Sequence, residues 1–145
     1  MSAPETALRA AIIARLKADT DVRATALGNS PRIANRAPPE RAKPYVIVTC
    51  EARPYETQGE GAPPDDCTIT VMIYVEGDFE GDEEGEAIFS AFRKSLRAWI
   101  AAGSVSLSGH RLVNLTCTLS GISSGEAGKS YAGRQDWRAV TEQES

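Results

Sequence analysis

Residues suited to covalent or redox chemistry are scarce in this chain. Histidine occurs once, as His110, and cysteine three times, as Cys50, Cys67 and Cys117, among 145 residues. An odd number of cysteines with no C-x-x-C spacing argues against a disulfide framework. Each lies in a strand-like run, so all three are expected to be reduced, small core residues of a protein made in the cytosol. No apolar run approaches the ~20 residues that span a bilayer, so no membrane association is expected. The opening stretch, "MSAPETALRAA", carries an acid early and lacks a basic segment followed by an apolar one, and no export is expected. A formal net charge of −4 argues against a dedicated nucleic-acid binder, although local patches can still matter. What remains, 41% hydrophobic and 25% charged, is an ordinary soluble composition. The length suits one domain over residues 1–145, burying roughly two-thirds of its unfolded surface.

Motifs for catalysis or ligand binding are missing as well. His110 falls in "SLSGHRLVNL", a turn leading into a strand, and the nearest thiol in sequence, Cys117, shares an apolar strand pattern with Leu115 and Leu119. That placement suits packing better than nucleophilic catalysis. Between Glu76 and Glu86 stand seven acids and no base: Glu76, Asp78, Glu80, Asp82, Glu83, Glu84 and Glu86. A calcium loop starting at Asp78 needs glycine at its sixth position, where Glu83 stands instead. A nuclease-like cluster needs a lysine that this block lacks. The block therefore reads as a solvated helix start whose charge matches the macrodipole. "SGISSGEAGKS" approaches a phosphate-binding loop but misplaces a glycine and runs into a strand rather than a helix. No catalytic residue, cofactor or metal site is expected. Trp99 reads as core, and Trp137, between Asp136 and Arg138, as a half-exposed interface residue.

Structure is written more plainly. Ser2 as N-cap, Glu5 as its capping-box partner and Pro4 in the first turn open a helix. Leu8, Ile12 and Leu16 carry its apolar stripe to about Ala18. Arg32-Ile33-Ala34 offers a short strand. Pro38, Pro39 and Pro44 then exclude helix across "NRAPPERAKP", and the β-branched run from Tyr45 to Cys50 follows as a buried strand. The stretch from Ala52 to Asp66 reads as a long exposed loop. Beyond it, Cys67, Ile69, Val71, Ile73 and Val75 alternate with polar neighbours, giving a second long strand and a hairpin. A second helix carries Ile88, Phe92, Leu96 and Trp99 in its stripe, widened by Phe89 and Ile100, with Gly103 as its cap. Val113, Leu115, Cys117 and Leu119 mark a third strand, and Tyr131 to Thr141 a fourth, with Trp137 and Val140 on opposite faces. The order predicts an α+β fold: a mostly antiparallel sheet of about four strands with two main helices packed on it.

Five stretches in order, "RIANRAPPERAKPYVIV", "RPYETQGEG", "YVEGDFEGDEEGEAIFSAFRKSL", "LSGHRLVNL" and "WRAVTEQ", resemble the small tail-terminator (tail-completion) proteins of long-tailed phages and of phage-derived particles such as gene transfer agents. The similarity runs from the Leu8 helix to Thr141, and the shared order of short motifs carries it. The resemblance implies a non-enzymatic virion protein, assembled in the host cytoplasm, that forms a six-membered homo-oligomeric ring on the head-proximal end of the tail tube. Such a ring stops tube growth and supports head-tail joining. Its implied partners are the tail tube protein and the head-tail connector or stopper, with DNA passing through unbound. The alternatives are a head-side stopper or neck adaptor, and a small cytosolic enzyme. In that setting Arg36, Arg41, Arg53, Tyr55 and Glu56 are candidates for the subunit or tube interface. Asp82, Glu83 and Glu84 are candidates for a DNA-repelling lumen surface.

Overall fold

The first helix, α1 (Pro4–Ala18), forms because alanines and long straight side chains surround an i, i+4, i+8 stripe. Leu8, Ile12 and Leu16 are all fully buried, each contributing about 1.5–3 kcal/mol of transfer free energy. Its N-cap is Ala3 rather than Ser2, and no side chain caps it; Pro4 at the first helical position supplies the start instead. The computed structural model describes residues 3–37, 44–54, 67–77, 82–103, 105–107, 109–124 and 131–143.

A single turn, α2 (Thr20–Arg23), follows, capped by the Asp19 carboxylate, which accepts from the N–H groups of Asp21 and Val22 at 2.8 and 3.2 Å. The strands are β1 (Ile33–Ala34), β2 (Tyr45–Pro54), β3 (Cys67–Gly77), β4 (Val105–Leu107), β5 (His110–Ser124) and β6 (Tyr131–Gln143). The second long helix, α3 (Asp82–Ala101), lies between β3 and β4 and closes at Gly103, whose φ of 128° suits a residue without Cβ. The sheet order is β1-β2-β3-β6-β5-β4, with β1 parallel to β2 and every other pair antiparallel. The fold is thus α+β, but its sheet is mixed and six-stranded rather than four-stranded. The additional strands are the two short edges: β1 falls where Arg32-Ile33-Ala34 offered a short strand, and β4 is too short to show a period of its own.

Both long helices cover one face. Val46, Val48, Ile69, Val71, Ile73, Val75, Leu112, Leu115, Trp137 and Ala139 meet Leu8, Ile12, Leu16, Ile88, Phe89, Phe92 and Leu96 in one core. Trp99 packs against its margin, partly buried. The alternation expected for β3 holds from Ile69 to Val75. That expected for β5 fails, because register shifts at Leu112/Asn114 and Cys117/Leu119 each insert an extra residue. Leu112 rather than Val113 therefore faces the core, and Leu119 turns to the other face, where it is 47% exposed. β2 continues through Arg53 and Pro54, paired with Thr68 and Cys67, so the first three residues of the expected loop, Ala52 to Pro54, are strand; residues 55–66 lie outside the described ones.

Trp137 corrects a second expectation. It is buried, not half-exposed, and its indole N–H donates to Gln135 Oε1 at 2.8 Å. Gln135 is itself fully buried, and its amide donates to Phe89 O at 3.0 Å and to Ser120 Oγ at 3.2 Å. The alternation through "QDW" is therefore regular: Gln135 and Trp137 point inward and Asp136 outward. A buried amide so fully partnered ties α3, β5 and β6 together.

Candidate assembly interface

The described residues gather no group of His, Cys, Asp or Glu that could hold a metal ion, and no helix among them is long and apolar enough to cross a membrane. His110 opens β5 opposite Gln143, whereas Cys117 stands opposite Trp137. Six residues of strand separate the two, on the order of 20 Å, far beyond proton-transfer reach. The Cys117 thiol lies 3.5 Å from Leu119 O. Burial pushes the Cys50 thiol up to about 12, with a smaller downward pull from Arg9, so it stays protonated and unreactive at neutral pH.

Charge is distributed differently from what the sequence suggested. Arg36, one of the interface candidates, is exposed just beyond β1 and lines a groove of about 160 Å³ with Lys17, Arg32, Ile33 and Ala34. Lys17 comes from the last turn of α1 and Arg32 from the residue before β1. Their convergence depends on α1 lying beside the sheet edge, which no local pattern announces. No carboxylate among the described residues pairs with Lys17, Arg32 or Arg36. Arg53 is in β2, opposite Thr68, and its side chain is not among the described ones. Tyr55, Glu56 and Arg41 lie outside the described residues.

Asp82 begins α3, and Glu83 and Glu84 stand exposed in its first turn. One row of the ladder, Ile33–Val46–Val75–Gly133–Ile122, crosses the sheet from β1 to β5. The cationic groove sits at the β1 end of this row. The start of α3 sits at its β5 end, where Glu86, Phe89 and Arg93 line a small cavity with Ser120 and Gly121, and Arg93 donates to Ser120 Oγ at 2.7 Å. The helices meet between these ends: Arg15 donates to Ser95 Oγ at 3.2 Å, and Lys94 pairs with Asp21 at 2.9 Å.

The sheet face away from the helices mixes half-buried Ile47, Met72, Tyr74 and Val140 with Thr49, Glu51, Thr70, Arg134 and Arg138. Salt bridges Arg134–Asp136 and Arg111–Glu142, at 3.2 and 2.6 Å, occupy part of it. Tyr45 is nearly fully buried at one margin, its hydroxyl donating to the Glu76 carboxylate.

The fold is similar to that of a chain in the solved structure "Virion of native gene transfer agent (GTA) particle", with a TM-score of 0.74 and 21% sequence identity, covering 97% of this chain and 99% of that one. No curated protein matches the sequence. The family model described as tail completion protein gp17 matches residues 10–142, nearly the whole chain, and the protein belongs to that family.

Proposed function

We propose that this protein completes a phage-type tail: it assembles as a six-membered ring on the head-proximal end of the tail tube, stops tube growth and offers the surface on which the head joins. The observation that carries this reading is family membership across residues 10–142. The fold likeness to a chain of a gene transfer agent virion supports it, since nearly all of both chains superimpose. Within the ring, Arg36, Arg41, Arg53, Tyr55 and Glu56 contact a neighbour or the tube, and the segment joining β2 to β3 serves as a contact arm. Tyrosine and arginine, with tryptophan, are the side chains enriched among interface anchors.

Polymerising tail tube protein provides the test. Adding this protein should arrest growth and leave one end of each tube capped and unable to extend. Tubes of unchanged length with both ends still growing would contradict termination. A protein that bound only the head connector would point to a stopper instead. Replacing residues 54–64 by a short Gly-Ser turn should leave a cooperatively melting subunit, because loop-closure entropy changes slowly with length, yet one that no longer caps tubes.

A further inference from the structure

We propose that the cationic groove at the β1 edge receives the acidic start of α3 from a second copy of this chain, and that this contact, repeated head to tail, closes the ring; the inference rests on the ring reading above. A ring built from one kind of contact needs two different, complementary patches on each subunit, placed so that the rotation closes. Both are present. The groove gathers Lys17, Arg32 and Arg36 around β1, in a chain whose formal net charge is −4. None of the three has a carboxylate partner among the described residues. Glu83 and Glu84 are equally exposed and equally unpaired there.

Their placement makes the match usable. The patches lie at opposite ends of one ladder row, with β2, β3 and β6 between β1 and β5, on the order of 19 Å of sheet. That span exceeds the Debye length of about 8 Å at physiological salt, so within one subunit the opposite charges hardly neutralise each other. Because they sit at the same end of the sheet, a neighbour related by rotation brings its α3 start to the groove without changing height. Among the described residues β1 is the last strand on its side of the sheet, so no described strand lies beyond the groove. The same acids then face a neighbouring subunit rather than a DNA passage.

Charge reversal in the full-length chain tests this. Arg32→Glu with Arg36→Glu leaves groove and block both acidic; Glu83→Arg with Glu84→Arg leaves both basic. Each double variant should still fold and melt cooperatively, Glu83→Arg with Glu84→Arg at a somewhat lower temperature because arginines oppose the α3 macrodipole, yet lose ring formation on tail tubes by about tenfold or more at equal concentration. Mixing the two should restore rings of alternating subunits, and so should combining all four changes in one chain. Wild-type rings should weaken when salt is raised to about 1 M, where screening shortens to roughly 3 Å. Rings formed by either double variant alone would overturn the proposal while leaving the ring reading intact, and so would a mixture that fails to form them. Normal tails that deliver DNA slowly would assign Glu83 and Glu84 to the lumen and overturn it too. A wild-type chain that makes no ring with tube protein would remove the ring reading itself.

Discussion

The interior around Gln135 and the rim at the Val46 end of the sheet use polar groups in opposite ways. Inside, the Gln135 amide reaches Phe89 O, Ser120 Oγ and the Trp137 indole, so a buried polar side chain is partnered within the chain. At the rim, Lys17, Arg32 and Arg36 converge with no acid of the described residues against them. Self-sufficient polar groups fix a fold, while unmatched ones leave free energy to be gained by a partner. Interior changes should therefore alter stability, and rim changes should alter assembly.

Trp137→Ala is expected to have the largest effect on stability. Removing a fully buried indole should cost about 3–5 kcal/mol, read as a lower denaturant midpoint at unchanged slope. An exposed-site cost below about 1 kcal/mol would return Trp137 to the half-exposed position its charged neighbours suggest. Gln135→Leu should cost about 2 kcal/mol, because it leaves the Trp137 N–H without its acceptor and takes from the Phe89 carbonyl the second donor it has beside the α3 helical bond. A neutral result would show that the amide network contributes nothing net.

Asp19 sharpens the comparison near the helix junction. Burial raises its carboxyl, but hydrogen bonds from Ser95, Val22 and Asp21 and the charge of Arg15 outweigh this and hold it below the ordinary aspartate value. The ionised form therefore favours the folded state above the unfolded value, and that contribution is lost as pH falls through the folded one. Asp19→Ala should cost about 1 kcal/mol at pH 7 and less at low pH, measured by urea melts across that range. A cost that does not change with pH would show that the carboxylate's charge is irrelevant to the cap.

At the rim, Asp82, Glu83 and Glu84 changed together to Lys should remove favourable macrodipole contacts worth at most about 1 kcal/mol each, while tails fail to be capped. Large loss of stability with assembly intact would invert the distinction between interior and rim. The smallest effect is expected from His110→Ala and Cys117→Ser, which should leave capping unchanged apart from modest losses in melting temperature. Loss of capping at normal stability would reveal a role that their separation along β5 does not provide.

β3 and β5 show what could be read from the chain beforehand. In β3 each step alternates faces, so Ile69, Val71, Ile73 and Val75 were legible as core. In β5 two bulges change the phase, and a period-2 reading assigns Val113 and Leu119 to the wrong face; nothing local distinguishes a bulged residue from a paired one. β1 was legible as a short strand, but its parallel pairing is a long-range property of the topology. The same holds for the candidate interface. Arg36 stood out beside the proline segment, whereas Lys17 looked like an ordinary basic residue ending a helix, and only the approach of α1 to β1 brings the two together. Gln135 was hidden because a polar residue on an apolar face has no sequence signature when its partners lie on two other elements.

Electron microscopy of intact particles, with this chain identified in the density, tests the tail-completion reading most directly. A single ring of six copies between the last tube layer and the head-side connector, with adjacent subunits touching through the β1 groove and the α3 start, is the expected result. Finding the chain on the capsid side of the connector, along the tube, or absent from the particle would contradict it.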